Sequence, residues 1–372
     1  MATISGASAA ALHSLSPSDV DFLQSLPKAE LHAHLNGSIP LQTLVDLAHE
    51  RPTVPVDTTD EIAEKIAILR SGLTLDGILD FFPLFRAIYP LTSTPSALSR
   101  ITRDVLDSFL KAQSVPPAGF TYAPVPECTY IELRTTPRAT AHMSRHTYLT
   151  TVLDEVEKFS ADQAALIVSI DRRMSEADAK ECVDLAITLR AAGRRVVGLD
   201  LCGDPEKGDV VTFEKHFKRG KDAGLGVTLH IAEAKASTTA ESLALLGWRP
   251  DRLGHATFLS DEHKALFFAD PCIEICLTSN FITKTVQSLE SHHIRYYLAN
   301  DHPIAICVRV ESRFILSRCA EIGAVDTDDT LPFRTTLLGE YAQLLAKPPL
   351  GLGLRHEQVR RIAAMSMEAR FK

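Results

Sequence analysis

The sequence lacks the features that mark several large classes of protein. Its seven cysteines are odd in number and include no Cys-x-x-Cys pair, so neither a disulfide framework nor a cysteine-ligated zinc site is predicted. No run approaches about 18 consecutive apolar residues, so no membrane-spanning helix is predicted. Acidic residues outnumber basic ones, 47 to 39, and this net charge of −8 argues against nucleic-acid and anionic membrane partners.

Basic residues are also absent from the start of the chain, where the first is Lys28. The Ala- and Ser-rich residues 1–16 therefore lack the basic region of a secretory signal peptide. We predict a flexible tail over residues 1–16, followed by a helix at Pro17–Ser25 and one domain over residues 17–372. Scattered cysteines in apolar runs are typical of reduced thiols, so we expect a cytoplasmic protein.

What the chain does contain is enough apolar sequence, 45% of 372 residues, for a large core. Apolar, β-branched runs alternate with amphipathic helical patterns, and eight of them read as buried strands. The predicted strands are Ala29–Leu35, Tyr130–Thr135, Ala165–Ile170, Val196–Leu201, Gly226–Ile231, Arg252–Thr257, Cys272–Leu277 and Pro303–Cys307. Eight such units predict an α/β fold, a (β/α)8 TIM-type barrel with its active site at the carboxyl ends of the strands.

The competing architecture is a doubly wound sheet, which would need a glycine-rich phosphate loop after the first strand. The residues there, Asn36-Gly37-Ser38-Ile39, do not form one. The mostly helical stretch Glu50–Pro95, between strands one and two, is predicted to form a lid over the barrel. Two irregular inserts interrupt the pattern, near residues 113–128 and 308–326. The second is either a surface excursion or a segment foreign to the fold, and we favour the foreign segment.

Histidines and carboxylates recur at the predicted strand ends. His32 and His34 are two residues apart, so they lie on one face of an extended segment and can reach one divalent ion. Similar residues follow three other strands: His230 and Glu233, His255, and Asp328 with Asp329. Each has an ordinary structural explanation alone, as a core histidine, a helix-start carboxylate or a helix cap. Together they predict a metal-dependent active site.

The segments that carry these residues resemble the adenosine deaminase family of metal-dependent hydrolases, and within it the adenosine deaminase-like (N6-methyl-AMP deaminase) branch. The matching segments are Ala29–Ser38, Leu199–Asp204, His230–Glu233, Leu253–His255, Cys276–Asn280 and Thr327–Asp329. Glu132–Arg138 and Asp171–Arg173 are similar to that branch in particular. The resemblance covers nearly the whole chain from Leu26 onward.

The resemblance implies one Zn²⁺ held by His32, His34, His230 and Asp328, which would lower the pKa of its bound water towards about 7. It implies that His255 orients or deprotonates this water while Glu233 protonates purine N1. It further implies that Asp329 accepts a hydrogen bond on the N7 side and that the Gly203 backbone contacts N3. The full set of implied substrate-binding residues is His34, Asn36, Thr135, Thr136, Pro137, Arg138, Asp171, Gly203 and Asp329. We expect a monomer with a small purine nucleotide or nucleoside as its partner.

Asn36 bears on the substrate, because it stands where nucleoside-preferring members of the family carry Asp. A carboxylate beside the 5′ position would repel a phosphate, whereas an amide can donate to it. Thr135, Thr136 and Arg138 would add hydroxyls and a cation. The favoured reaction is therefore the conversion of N6-methyl-AMP to IMP and methylamine. Two alternatives stay open: deamination of adenosine to inosine, and a barrel whose catalysis is impaired by the insert before Asp328.

Overall fold

Parallel strands and helices alternate in the computed structural model, which describes residues 4–50, 56–71, 75–80, 82–112, 120–266, 271–299 and 325–372. The strands are β1 Ala29–Glu30, β2 Tyr130–Thr135, β3 Ala164–Asp171, β4 Val196–Cys202, β5 Gly226–Ile231, β6 Arg252–His255 and β7 Cys272–Glu274. The helices before β3 are α1 Gly6–Ser14, α2 Pro17–Ser25, α3 Leu41–His49, α4 Val56–Ser71, α5 Phe85–Leu91, α6 Pro95–Leu110 and α7 Arg145–Val156. The later helices are α8 Glu176–Ala191, α9 Glu214–Asp222, α10 Thr239–Gly247, α11 Asp261–Ala265, α12 Leu277–Ile282, α13 Ile294–Ala299, α14 Thr330–Phe333, α15 Leu337–Leu345 and α16 His356–Glu368.

The seven strands pair in parallel in the order β1 to β7, which confirms the predicted TIM-type α/β fold. The bounds of β2 and β5 coincide with the predicted ones, and the others differ by a few residues. The first strand is the shortest, because the regular pairing stops at Glu30 and resumes only as a single bridge between His34 and Arg134. The predicted eighth strand, Pro303–Cys307, lies outside the described residues.

The segment 325–329 joins the two ends of this sheet. Val325 is fully buried and bridges Ile275, just after β7, and the Asp326 amide donates to the Ile275 carbonyl at 3.0 Å. On the other side, the Asp326 carboxylate accepts from the Leu31 amide at 2.9 Å. The insert predicted over residues 308–326 is therefore wrong at its end, since Val325 and Asp326 belong to the barrel. Residues 308–324 lie outside the described residues.

Within the strands, alternate side chains face the helices and the barrel interior. In β2, Ile131 and Leu133 join the apolar core, whereas Glu132 and Arg134 point to the other face and are fully buried. The amino-terminal end of the barrel is closed by the chain terminus. There the Phe371 ring lies against the Arg252 guanidinium, 3.7 Å from its carbon.

The prediction of a flexible tail over residues 1–16 is wrong for most of that segment. Residues 6–14 form α1, whose Ala11 and Leu12 are buried, and Ser8 packs against Gly339 of α15. Because Gly339 has no side chain, the two helices approach closely enough to bury the small residues of α1. The helix predicted at Pro17–Ser25 is confirmed as α2.

The stretch Glu50–Pro95 holds helices α4 and α5, in keeping with its predicted helical character, and its role as a lid stays a prediction. Residues 120–128 of the first predicted insert pack on the N-terminal helices. The Phe120 ring stacks on His13 at 4.1 Å, and Gln24 donates to the Ala123 carbonyl. Residues 113–119 lie outside the described part. Among the helices that the structure describes, none is long and apolar enough to cross a membrane.

Candidate active site

A cavity of about 750 Å³, including its open mouth, lies at the carboxyl ends of the strands. Ten residues predicted from the sequence line it: His34, Asn36, Thr135, Thr136, Asp171, Gly203, His230, Glu233, Asp328 and Asp329. His32 and His255 contact this lining from behind, through His230 and Glu233 respectively. The structure therefore gathers residues from seven separate parts of the chain into one site.

Three imidazoles and one carboxylate converge at the floor of the cavity. The Nε2 atom of His230 lies 3.0 Å from that of His32 and 3.1 Å from that of His34. Asp328 Oδ1 lies 3.7 Å and 3.6 Å from the same two histidine nitrogens. The three imidazole nitrogens could hold a single metal ion, and Asp328 lies close enough to two of them to add a carboxylate oxygen.

Two buried carboxylates fix the orientation of these imidazoles. Glu274 Oε2 lies 2.5 Å from Nδ1 of His32, and Asp200 Oδ1 lies 3.0 Å from Nδ1 of His230. A carboxylate that accepts from Nδ1–H leaves the lone pair on Nε2, which is the arrangement found for metal-ligating histidines. Burial also lowers the pKa of His32 and His34 well below the ordinary value, so both favour the neutral form that binds a metal.

A buried arginine connects the same two carboxylates. Arg134 places Nη2 2.9 Å from Glu274 and Nη1 3.3 Å from Asp200, and all three side chains are fully buried. Arg252 lies on the other side of Glu274 and also pairs with Glu132. The layer beneath the cavity floor is therefore charged and internally paired.

Glu30 joins the first strand to the segment that carries Asp328. Its carboxylate accepts from the His32 amide at 3.0 Å, and also from the Thr327 amide at 3.0 Å and hydroxyl at 2.7 Å. Further along both segments, the His34 amide donates to the Asp328 carbonyl at 3.1 Å. These contacts hold Asp328 beside the histidines.

Three acidic groups face the cavity in an environment that favours their protonated forms. Burial raises the pKa of Glu233 to about 7, and the nearby Asp328 carboxylate adds to this. Burial likewise raises the pKa of Asp328 to about 6 and that of Asp329 well above its ordinary value. His255 Nε2 lies 3.3 Å from Glu233 and 4.0 Å from Asp328, so a neutral base stands beside a protonated acid.

The backbone that presents these groups is left-handed at several strand ends. Ala232, before Glu233, has φ 47°, and Asp328 has φ 62°. His255 and Ala256 are consecutive residues with φ 61° and 52°. Such conformations are costly for residues other than glycine and cluster at functional sites. Here they turn the side chains out of the strands and towards the cavity.

Asn36 is held at the cavity wall by a polar network. Its amide nitrogen lies 3.4 Å from the Tyr148 hydroxyl, which is 2.7 Å from the Thr135 hydroxyl. Arg138, in contrast, is absent from the lining. Its guanidinium stacks on the Tyr89 ring at 4.1 Å and donates to Thr92, because this aromatic face and hydroxyl offer it partners behind the wall. The prediction that Arg138 itself reaches the substrate is therefore not supported, and Pro137 is likewise outside the lining.

Residues that were not among the predicted site residues also line the cavity. Arg173 at the mouth forms a two-pronged pair with Asp171, with one contact of 2.9 Å. It follows β3 by two residues, so the rule that functional groups gather at strand ends could have found it. The aromatic part of the wall is Phe82, Phe85, Tyr89 and Phe333. These aromatic residues follow no spacing that points to a site.

Comparison with known proteins agrees with this geometry. A family model described as adenosine deaminase matches residues 27–309. The chain is also 31% identical to an N6-mAMP deaminase of Arabidopsis thaliana, over 95% of this chain and 94% of that one. The chain belongs to the adenosine deaminase family. It is therefore a hydrolytic deaminase that acts on purines, and its ligand-competent His/Asp cluster agrees with the metal dependence of the family.

Other relatives in this family place it among the nucleotide deaminases of the adenosine deaminase-like branch. A human N6-methyl-AMP deaminase is 33% identical over 89% of this chain and 85% of its own. The crystal structure of the Arabidopsis N6-mAMP deaminase matches with a TM-score of 0.75 at 32% identity and covers 95% of both chains. Arabidopsis ADAL complexed with IMP matches with a TM-score of 0.76 at 31% identity, over 95% of this chain and 94% of that one.

Proposed function

We propose that this family member is a zinc-dependent deaminase that converts N6-methyl-AMP and water to IMP and methylamine. The observation that carries the proposal is the convergence of His32, His34, His230 and Asp328 near Glu233, whose pKa burial raises to about 7. The names of the similar human and Arabidopsis enzymes, and the IMP complex of the latter, support the choice of a nucleotide substrate.

The donor set fits zinc. Zn–N distances of about 2.0–2.1 Å in a tetrahedral site place the ligand atoms roughly 3.3–3.4 Å apart. The nitrogen–nitrogen and nitrogen–oxygen separations at the cavity floor, 3.0 to 3.7 Å, bracket that value. Zinc, when bound, supplies a water molecule that is acidic enough to attack at neutral pH.

Glu233 is the group that makes the purine receptive to this attack. With its pKa raised to about 7 by burial, the carboxyl still carries a proton at neutral pH and can donate it to N1. His255, whose pKa burial lowers well below its usual value, is neutral and can accept a proton from the water. The chain thus holds an acid and a base 3.3 Å apart beside the predicted metal ligands.

Asp329 acts differently from the sequence prediction. Purine N7 is a hydrogen-bond acceptor, so a group that binds it must donate. Burial raises the pKa of Asp329 well above its usual value, and Oδ1 has no hydrogen-bond partner among the described residues. A protonated Asp329 is therefore a donor to N7. A side chain at Gly37 would occupy the space of this carboxyl, since its Cβ would lie 1.4 Å from Oδ1.

The phosphate is proposed to lie against Asn36, Thr135 and Thr136. These are neutral donors on one part of the wall, and they offer no carboxylate that would repel a phosphate. Arg173 is the cation at the cavity mouth, and it takes the role that the sequence gave to Arg138. Asp171 neutralises only part of the Arg173 charge, and the Arg173 side chain is half exposed. Arg173 is therefore still able to bind a phosphate dianion.

Parallel kinetics on N6-methyl-AMP, AMP and adenosine test this proposal with zinc-loaded enzyme. We expect the highest kcat/KM on N6-methyl-AMP and the lowest on adenosine. Asn36→Asp should weaken both nucleotides relative to adenosine, because it adds a negative charge beside the phosphate. Glu206, a surface carboxylate in the loop after β4, offers Glu206→Gln as a control. A preference of the wild type for adenosine would reject the nucleotide assignment.

An impaired barrel was the remaining alternative from the sequence. The position of Asp328, within 4 Å of two predicted histidine ligands, favours an intact site over that alternative. Metal analysis distinguishes the two. Near-stoichiometric zinc in the purified full-length chain is expected, whereas a protein that folds but retains no zinc after equilibration would favour the impaired barrel.

A further inference from the structure

The turn that carries His255 is the most strained part of the active-site backbone. His255 and Ala256 are the one pair of consecutive non-glycine residues with positive φ in the described chain, at 61° and 52°. Left-handed backbone brings Cβ close to the following carbonyl, so an isolated chain avoids it. Both residues are almost completely buried. Contacts elsewhere must therefore hold this turn in place.

Two side chains from one segment bind the carbonyl groups of this turn. Nε2 of His293 lies 2.8 Å from the His255 carbonyl oxygen. The Tyr297 hydroxyl donates to the Ala256 carbonyl oxygen at 3.3 Å. His293 precedes α13 and Tyr297 lies within it, so one segment binds both carbonyl groups of the turn, while the Ala256 amide donates to the Ile231 carbonyl at 3.1 Å.

The geometry leaves no ambiguity about the direction of the His293 hydrogen bond. A carbonyl oxygen only accepts, so Nε2 of His293 must carry the proton. Burial lowers the pKa of His293 to about 4, which keeps the ring neutral with one N–H at neutral pH. The ring stacks on His292 at 4.3 Å, and His292 in turn lies 3.1 Å from the Asn280 side chain. The donor is thus itself held in position.

We propose that His293 is a positioning residue for catalysis, which fixes the strained His255–Ala256 turn and thereby aims the His255 imidazole at the reacting water. This inference rests on the role given to His255 in the proposed function. Because the peptide plane after His255 sets the direction of its side chain, loss of the His293 contact lets the turn relax. The imidazole then moves away from Glu233 while the zinc ligands stay where they are.

Steady-state kinetics on zinc-loaded His293→Ala test the proposal. We expect kcat to fall about 10- to 100-fold, as for a misplaced catalytic group, with KM within about twofold of wild type. Zinc content should be unchanged. His293→Gln retains a side-chain N–H and should recover much of kcat. His146→Ala, an exposed histidine on α7, is the matched control. An unchanged kcat, or equal losses for Ala and Gln, would overturn the proposal.

A second measurement does not depend on activity. Ala256→Gly removes the Cβ that makes left-handed backbone costly. If His293 holds a strained turn, His293→Ala should lower the melting temperature more in the wild-type background than in the Ala256→Gly background. Equal losses in both backgrounds would show that His293 does not act through the turn. If the wild type were inactive on every purine, the proposed function would be refuted. The comparison of melting temperatures would still show whether His293 holds the turn.

Discussion

Replacing Arg134 with Met should weaken zinc binding although the Arg134 guanidinium bonds to Glu274 and the Leu31 carbonyl rather than to a predicted zinc ligand. The substitution keeps the length of the apolar stem but removes the charge between Glu274 and Asp200. These carboxylates orient His32 and His230 respectively, so both imidazoles lose part of their support. Mutation of such outer partners of a metal site typically costs about 10- to 100-fold in metal affinity.

The same substitution should also lower stability. Removing one partner of a buried ion pair typically costs about 3–5 kcal/mol, because the remaining charge is left unpaired. Glu274 still pairs with Arg252 at 2.8 Å, and Asp200 still accepts from Ser169 at 2.8 Å. We therefore expect the low end of that range, about 3 kcal/mol, out of the roughly 5–15 kcal/mol that stabilises a folded domain.

Two measurements separate these effects: competition for zinc with a chelator, and urea unfolding of the metal-free proteins. Arg252→Met is the matched control, since Arg252 is equally buried and also pairs with two carboxylates, Glu132 and Glu274. It contacts Oε1 of Glu274, whereas Arg134 and His32 share Oε2. Arg252→Met should lose stability while keeping most of its zinc affinity. Equal zinc affinities for both variants would refute the reasoning.

Three further predictions concern the acid, the fold and the insert. Glu233→Gln should retain zinc but lose about 10²- to 10⁴-fold in kcat, as for a missing general acid; near-wild-type turnover would assign the carboxylate a structural role. Burial raises the pKa of Glu340 from 4.5 to about 7, so the folded protein favours the neutral carboxyl. The contribution of this group to folding stability is therefore complete below pH 4.5, the pKa of Glu340 in the unfolded chain, and is lost as the pH rises through 7. Urea melts at about pH 5 and pH 8 should therefore show wild type losing stability relative to Glu340→Gln, and a constant difference would contradict this. Deleting residues 308–324 should preserve the zinc content of the protein. Deleting residues 308–326 also removes the contacts of Asp326 and should lower the zinc content. A higher zinc content in the longer deletion would instead favour a foreign segment that includes residues 325 and 326.

Much of the barrel was predictable because a buried parallel strand needs apolar or β-branched residues. Tyr130–Thr135 and Gly226–Ile231 carry such residues at alternate positions along their whole length, and their bounds were predicted without error. The helix α1 was not predicted, because its small residues carry little signal of their own. They are buried only because Gly339 lets another helix approach, which is a contact distant in sequence.

Site residues were predictable where the strand sets the direction of the side chain, and unpredictable where packing against other side chains sets it. His230 lies inside β5 and His32 follows β1, so the pattern of strand ends brought them together. Arg138 and Arg173 both follow strands, but the sequence does not say which guanidinium turns to the cavity. That choice depends on the Tyr89 ring, which stacks on Arg138 behind the wall. No local pattern records such a contact.

The geometry also explains what holds Asp328 beside the histidines. The Glu30 carboxylate binds Thr327, the Leu31 amide binds Asp326, and the His34 amide binds the Asp328 carbonyl. These partners come from the first strand and its extension, so they fix the segment from the side. The position of Asp328 therefore depends on contacts that are distant in sequence, which explains why the pattern of strand ends found this residue and its immediate neighbours in sequence did not.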